Sequence, residues 1–246
     1  MQLISKVDIG KVRKSNQDAA DAFMLSDNAG FAIVCDGMGG AKAGDIASQK
    51  AVEIIGEYVK NSYFPSADAE KVAQILKNAV CSANMELFRL SKKNEELNGM
   101  GTTVVATAVF GDRAVICHVG DSRAYIINDN IMQITTDHSV VQSLIESGKL
   151  SLNEAKNFPD KNVITRALGV EENVIPDINI VPFKETEYLL LCTDGLTNFV
   201  KKQDILNLVK NNPAELAVDK LIECANNGGG GDNISVVIVS RKEGNL

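Results

Sequence analysis

The sequence predicts an α+β fold in which antiparallel strands are backed by helices. Three observations carry that expectation. Short apolar, β-rich runs recur along the chain, each bounded by Gly, Asp or Asn. Very short links join several of them, and such links imply antiparallel pairing because parallel strands need a long crossover. Two blocks in the first half switch to helical periodicity.

The predicted strands, in order, are 4–9, 22–25, 31–35, 102–110, 114–119, 124–127, 131–134, 188–192 and 234–240. Phe110-Gly111-Asp112-Arg113 and Asn128-Asp129-Asn130 read as hairpin turns. Helices are expected over 43–60, where Ala47, Ala51, Ile54, Ile55 and Tyr58 share a face, and over 68–97, where the stripe runs from Val72 to Leu90. Pro65 and Ser66 separate them, and the pair is expected to pack antiparallel on one sheet face. Residues 139–174 have weak periodicity, with Gly148, Pro159 and Gly169 interspersed; a short helix at 140–147 followed by an irregular flap is expected. Further helices are expected at 202–210 and 213–226. The glycine run 228–231 reads as a flexible loop, since no Walker lysine or Gly-x-Gly-x-x-Gly pattern accompanies it.

At 246 residues, the chain can bury a substantial core, and neither a repeat nor an inter-domain linker interrupts it, so one domain over 1–246 is expected. Apolar residues make up 45% and charged residues 23%, the balance of an ordinary globular protein. A net charge of -7 argues against nucleic acid as a partner, because phosphate backbones require clustered Lys and Arg. The N-terminus lacks a basic region followed by a long apolar stretch, and no run is long enough to span a bilayer; a cytoplasmic protein without membrane insertion is expected. The 5 cysteines are scattered, with no metal or redox spacing, and read as small hydrophobes. Nothing suggests a coiled coil or a large apolar patch, and a monomer is expected.

The chemistry is written in the aspartates. The run 31–35 leads directly into Asp36-Gly37, 189–193 into Asp194-Gly195 and 116–120 into Asp121-Ser122, while Asp232-Asn233 opens the last strand. If that last strand runs antiparallel to the others, all of these carboxylates reach one edge of the sheets. Asp18, shortly after Arg13, precedes another strand. A single Asp-Gly is a common turn dipeptide. Several converging carboxylates repel one another by roughly 4 kcal/mol per pair at about 4 Å, and they persist only if protons or cations neutralise them. Oxygen ligands select Mg²⁺ or Mn²⁺; with only His118 and His138 in the chain, zinc does not fit. Paired hard cations acidify a water and clamp the oxygens of an in-line displacement at phosphorus, so phosphate-ester hydrolysis is the natural reaction class. Arg13, near Asp18, is the candidate for holding phosphoryl oxygens, because its planar fork binds them bidentately.

These residues fall into motifs: Arg13-Lys14-Ser15-Asn16-Gln17-Asp18, Val34-Cys35-Asp36-Gly37-Met38-Gly39-Gly40, Gly101-Thr102-Thr103, Val119-Gly120-Asp121-Ser122-Arg123, Thr136-Asp137-His138-Ser139, Ile164-Thr165-Arg166-Ala167-Leu168-Gly169, Cys192-Thr193-Asp194-Gly195-Leu196 and Gly231-Asp232-Asn233-Ile234-Ser235. In this order, and over nearly the full length, the chain resembles the metal-dependent protein phosphatases of type 2C (the PPM family) in their compact bacterial form.

The resemblance implies a β-sandwich of two antiparallel sheets flanked on both faces by helix pairs, with the metals at one end. It implies two core Mn²⁺ or Mg²⁺ ions, with Asp36 bridging them, the Gly37 carbonyl completing the first site, and Asp194 and Asp232 completing the second. Asp121 with Asp194 would hold a weaker third ion. Asp18, counted among the metal-site carboxylates, would orient metal-bound water, Arg13 would grip the phosphoryl group, and Asn233 would support Asp232 by hydrogen bonding. The Gly39-Gly40 pair would let the backbone pass close to the metals. The segment 139–174 would be the flap beside the active site, governing substrate choice. The implied activity is hydrolysis of phosphoserine and phosphothreonine on proteins, opposing a Ser/Thr kinase that is the expected partner.

One departure stands out. Many eukaryotic members carry His after the first Asp-Gly as donor to the leaving alcohol, and here the position is Met38. A water on the third cation is the expected donor, with His138 as the alternative. Among competing readings, a phosphatase acting on an anti-sigma-factor antagonist usually carries a sensory domain that does not fit in this chain. A catalytically dead binding module predicts loss of metal aspartates, yet Asp36, Asp194 and Asp232 are present. A metal-dependent nuclease is disfavoured by the acidic balance.

Overall fold

The computed structural model describes residues 1–39, 43–155, 158–160 and 162–241. The strands are β1 (Gln2–Asp8), β2 (Asp18–Ser26), β3 (Ala29–Met38), β4 (Gly101–Thr102), β5 (Val104–Phe110), β6 (Arg113–Val119), β7 (Arg123–Ile127), β8 (Ile131–Gln133), β9 (Asp177–Pro182), β10 (Tyr188–Cys192) and β11 (Ile234–Ser240). The helices are α1 (Ala43–Ser62), α2 (Ala69–Lys93), α3 (Val140–Glu146), α4 (Leu152–Ala155), α5 (Asp194–Thr197), α6 (Lys202–Lys210) and α7 (Ala214–Asn227). They form an α+β sandwich, as expected.

One sheet has the order β2-β3-β5-β6-β9, with β4 on the end of β3, and the other has the order β1-β11-β10-β7-β8. Neighbouring strands pair antiparallel. The two hairpin turns lie where the sequence puts them. Phe110 pairs with Arg113 around Gly111 at φ +50°, and Ile127 pairs with Ile131 around an Asn128 side chain that accepts the Asn130 N–H at 2.9 Å.

Three apolar layers hold the sandwich together. Alternate residues of β3 point opposite ways: Phe31, Ile33 and Cys35 pack under α1 and α2, whereas Ala32 and Val34 face the other sheet. On β11, Ile234, Val236 and Ile238 pack under α6 and α7, while Val237 and Val239 face inward. Strands covered on both faces need apolar residues at every position, which is why the sequence shows continuous runs rather than alternation. Asp68 caps α2 by accepting the Lys71 N–H at 2.7 Å.

The structure adds three elements to the expected set. Strand β9 carries Asp177, Asn179 and Pro182, and its residues are only partly buried. It is an edge strand on β6, so it lacks the two-sided burial that makes its neighbours conspicuous. A single turn, α5, follows β10, and α4 lies inside the expected flap. The helix expected to reach residue 97 ends at Lys93, with a separate tight turn at Glu95–Leu97. Among the described residues, no helix is long and apolar enough to cross a membrane.

Candidate active site

Sheet register brings the aspartates together. Asp18 pairs opposite Asp36 at the end of the β2–β3 ladder. Cys192 of β10 pairs with Val236 of β11, so the residue after β10's exit and the residue before β11's entry meet at the same edge. Asp121 arrives from a third direction: Gly120-Asp121-Ser122 is the turn by which the chain leaves β6 in one sheet and enters β7 in the other. Asp36, Asp121, Asp194 and Asp232 line one cleft of about 350 Å³, together with Arg13, Gly37 and Met38. Asn162 and Ile164 close it from the flap side. Asp18 lies buried beneath, and Asn233 is buried beside it.

Hydroxyl and amide side chains fix these carboxylates. The Asp36 N–H donates to Thr103 Oγ1 at 3.0 Å, the Asp36 carbonyl accepts from Thr102 Oγ1 at 2.9 Å, and Thr103 Oγ1 lies 2.7 Å from Ser122 Oγ. Thr103 therefore links the Asp36 strand to the Asp121 turn. Thr193 Oγ1 donates to Asp18 Oδ2 at 2.8 Å and accepts the Ser235 N–H at 2.9 Å. Asn233 Oδ1 accepts the Gln17 N–H at 2.8 Å, and its Nδ2 donates to the carbonyls of Ile9 and Ser15 at 2.9 and 3.0 Å. It thus pins the segment that carries Arg13, while its own N–H donates to Asp232 Oδ1 at 2.8 Å. Gly37 is obligatory, because a Cβ there would strike the carbonyls of Gly44 and Gln17.

The electrostatics are those of a crowded anionic site. Burial, compounded by Asp18, Asp194, Asp121 and Asp232, raises the Asp36 carboxyl well above its usual range. Burial pushes Asp121 up to about 7, with Asp194 and Asp137 adding to it. Asp18 is pushed up to about 7 by burial, against the hydrogen bond from Thr193. Burial and then Asp232 raise Asp194. Asp18 Oδ1 and Asp194 Oδ1 are buried without a hydrogen-bond partner. The Arg13 guanidinium is the cleft's cation, 2.8 Å from Asp232 Oδ2. Among the described residues, four carboxylates face one arginine and buried acceptor oxygens are unsatisfied; an all-oxygen donor set with that excess of negative charge fits bound hard divalent cations.

The structure brings Arg13, Asp18, Asp36, Gly37, Asp121, Asp194, Asp232 and Asn233 to one place. Gly39 borders the cleft at φ +122°, and Gly40 lies outside the described residues. Met38 lines the cleft and has no proton to give. His138 is buried behind the Asp121 turn, with its ring engaged by Gly120 and Asp177. Thr103, Ser122, Thr193 and Ser235 carry no sign of these roles in the sequence. Their types are common in turns, and only the partners across the sheets reveal them; their adjacency to the motif aspartates was the available signal.

Comparison with known proteins agrees with this geometry. A family model described as protein phosphatase 2C matches residues 11–227. The serine/threonine phosphatase stp of Listeria monocytogenes is 40% identical over 238 residues, 96% of this chain and 94% of the relative. The structure of the S. agalactiae serine/threonine phosphatase superposes with a TM-score of 0.91 at 32% identity, covering 98% of this chain and 99% of that one. The catalytic domain of the serine/threonine protein phosphatase PstP, solved in complex with 2 manganese ions, superposes at 0.84 with 32% identity over 96% of each chain.

Proposed function

The chain belongs to the protein phosphatase 2C family and is a metal-dependent serine/threonine protein phosphatase of the bacterial type, and from that premise we propose how its own residues divide the work. Asp36, the Gly37 carbonyl, Asp194 and Asp232 would hold two divalent cations, Mn²⁺ or Mg²⁺, and Asp121 with Asp194 a weaker third. When bound, the cations supply an acidified water as nucleophile and balance the charge gathering on the phosphoryl oxygens.

The protein's contribution is position and charge. Arg13, about half exposed at the cleft mouth, turns from Asp232 to the incoming phosphoryl group and holds two of its oxygens. Asp18 Oδ2 is fixed by Thr193, which leaves the buried Oδ1 to accept a hydrogen from the attacking water and set its direction. Asn233 keeps the Arg13 segment in register. Attack forms a new P–O bond opposite the seryl or threonyl oxygen, whose bond to phosphorus breaks. The departing alkoxide takes its proton from solvent in the cleft, since Met38 offers none. The segment 139–174 acts as a flap that selects among phosphoproteins through Asn162 and Ile164 at the rim. A Ser/Thr kinase and its targets are the proposed physiological partners, met in the cytoplasm by a monomeric enzyme.

The observation that carries this reading is the convergence of four acidic side chains, from both sheets, on one cleft with an arginine at its mouth. The direct test is hydrolysis of a phosphothreonine peptide with Mn²⁺, with EDTA, and by Asp36→Asn. Activity surviving both chelation and substitution would overturn it.

A further inference from the structure

Behind the Asp121 turn lies a second cluster of ionisable groups, His118, His138 and Asp177. Its geometry is poor for a metal. The imidazoles of His118 and His138 stack at 4.7 Å with planes 19° apart, so an ion in the plane of one ring stands off the plane of the other. His138 Nδ1 accepts the Gly120 N–H at 3.1 Å. An N–H can only donate, so Nδ1 is bare and Nε2 carries the hydrogen of the neutral ring. That Nε2 faces both Asp177 Oδ2 at 3.3 Å and Arg166 Nη1 at 3.2 Å; with Nδ1 taken by Gly120 its hydrogen goes to the carboxylate, and Asp177 Oδ1 accepts from Arg166 Nη1 at 2.9 Å. His118 Nε2 in turn lies 2.9 Å from the Thr136 carbonyl, so all three groups are already engaged.

The same contacts describe a bridge. His138 grips Gly120 twice: its N–H donates to the Gly120 carbonyl at 2.9 Å, and its ring accepts the Gly120 N–H. Its carbonyl accepts the Thr165 N–H at 2.8 Å, and Asp177 joins its ring to Arg166. Thr165 and Arg166 follow Ile164, which borders the cleft. Gly120 has φ +108° and packs against Thr103, so the turn has little room for another path.

We propose that His138 is a positioning residue that locks the Asp121 turn to the returning end of the flap, so that cation binding at Asp121 and flap order rise and fall together. The proposal rests on the assignment of Asp121 to the weaker cation. Its two halves separate by atom: Nδ1 and the backbone hold Gly120, while Nε2 through Asp177 holds Arg166. Loss of an outer hydrogen-bond partner of a metal ligand typically lowers metal affinity about 10- to 100-fold.

The test uses the full chain with His138→Ala, His138→Asn and Asp177→Asn, read by Mn²⁺ titration calorimetry, by amide exchange at Gly120 and Thr165, and by KM and kcat on a phosphothreonine peptide. In His138→Ala, the weakest Mn²⁺ affinity should fall about 10-fold, the tighter sites should hold, and both amides should exchange faster. In His138→Asn, Oδ1 takes the place of Nδ1; Gly120 protection and cation affinity should return, while KM stays raised because Asp177 has lost its donor. Asp177→Asn, a change at a half-exposed side chain that leaves the core intact, should reproduce the KM effect alone. Wild-type exchange and affinities in His138→Ala, or no rescue by Asn, would overturn the proposal. Stoichiometric Zn²⁺ binding lost in His138→Ala would also overturn it, making the cluster a metal site. Absence of a third Mn²⁺ in the wild type would sink the Asp121 assignment and the cation half with it. Unchanged amide exchange in His138→Ala would sink the bridge independently.

Discussion

The strand-borne carboxylates and the flap meet at the same cleft, yet they are built by opposite means. Asp36 and Asp18 sit on paired strands, and Asp194 follows directly on β10; their backbones or oxygens are bonded to Thr102, Thr103, Thr193 and Asn198. Among its described residues, the stretch 139–174 has two short helices and mostly exposed side chains; it closes on itself at the Ser139–Ile164 bridge and meets the body at Thr102–Leu168 and at the Thr165 N–H bonded to the His138 carbonyl. Asn84 of α2 anchors its far end, accepting the Gly169 N–H at 2.9 Å and donating to the Glu171 and Glu172 carbonyls. Groups that must hold geometry to fractions of an ångström are over-determined by the sandwich, and groups that must adapt to substrates hang from a few contacts at the end of the flap.

The largest effect should come from breaking the rigid side. Asp36→Asn should lower kcat/KM on a phosphothreonine peptide by more than about 10³-fold, beyond the loss of a single electrostatic donor; a loss under tenfold would place the chemistry elsewhere.

Next is the dependence of stability on pH without cations. Asp18 and Asp121, raised to about 7 in the folded protein, are ordinary carboxyls when it unfolds. The folded state therefore holds more protons. Its stability from these groups is full below about pH 4 and is lost as pH rises through about 7. Melting in EDTA should show a lower temperature at pH 8 than at pH 5.5, and Mn²⁺ should raise it more at pH 8. Equal shifts by Mn²⁺ at both values would contradict that.

Thr193→Val tests the support of Asp18 with a near-isosteric change. Losing the hydroxyl leaves the Asp18 oxygen without its donor and the Ser235 N–H without an acceptor, at about 1–3 kcal/mol. A fall in kcat of about tenfold, with KM unchanged, is the expected kinetic counterpart. The smallest effect belongs to the flap. Replacing 139–174 with a relative's segment should change preference among phosphopeptides while p-nitrophenyl phosphate turnover stays within about threefold, since one altered apolar contact is worth roughly 1 kcal/mol of discrimination. Equal collapse on both substrates would erase the distinction between the two regions.

Much of the rigid side is legible in the sequence, because burial on both strand faces leaves continuous apolar runs and the chemistry sits where those runs stop. Asp36, Asp121 and Asp194 stand out for that reason. The runs fade at the edge, and β9, with Asp177 and Asn179 on a half-exposed strand, passes unnoticed. Thr103, Thr193 and Asn84 are equally silent. A hydroxyl or amide on an apolar strand or helix becomes informative only when the partner opposite is known, and each partner is far along the chain. His138 is visible as a histidine in a motif, but its double hold on Gly120 depends on a turn that changes sheets.

That change of sheets has a further consequence. Asp36 belongs to one layer of the sandwich, and Asp194 and Asp232 flank strands of the other. Any ion gripped from both sides acts as a rivet through the two layers. By mass action, occupancy at 100 times the dissociation constant would add about 2.7 kcal/mol against opening. The amount of intact protein would then track the supply of the ion, and scarcity would thin the population as well as idle it.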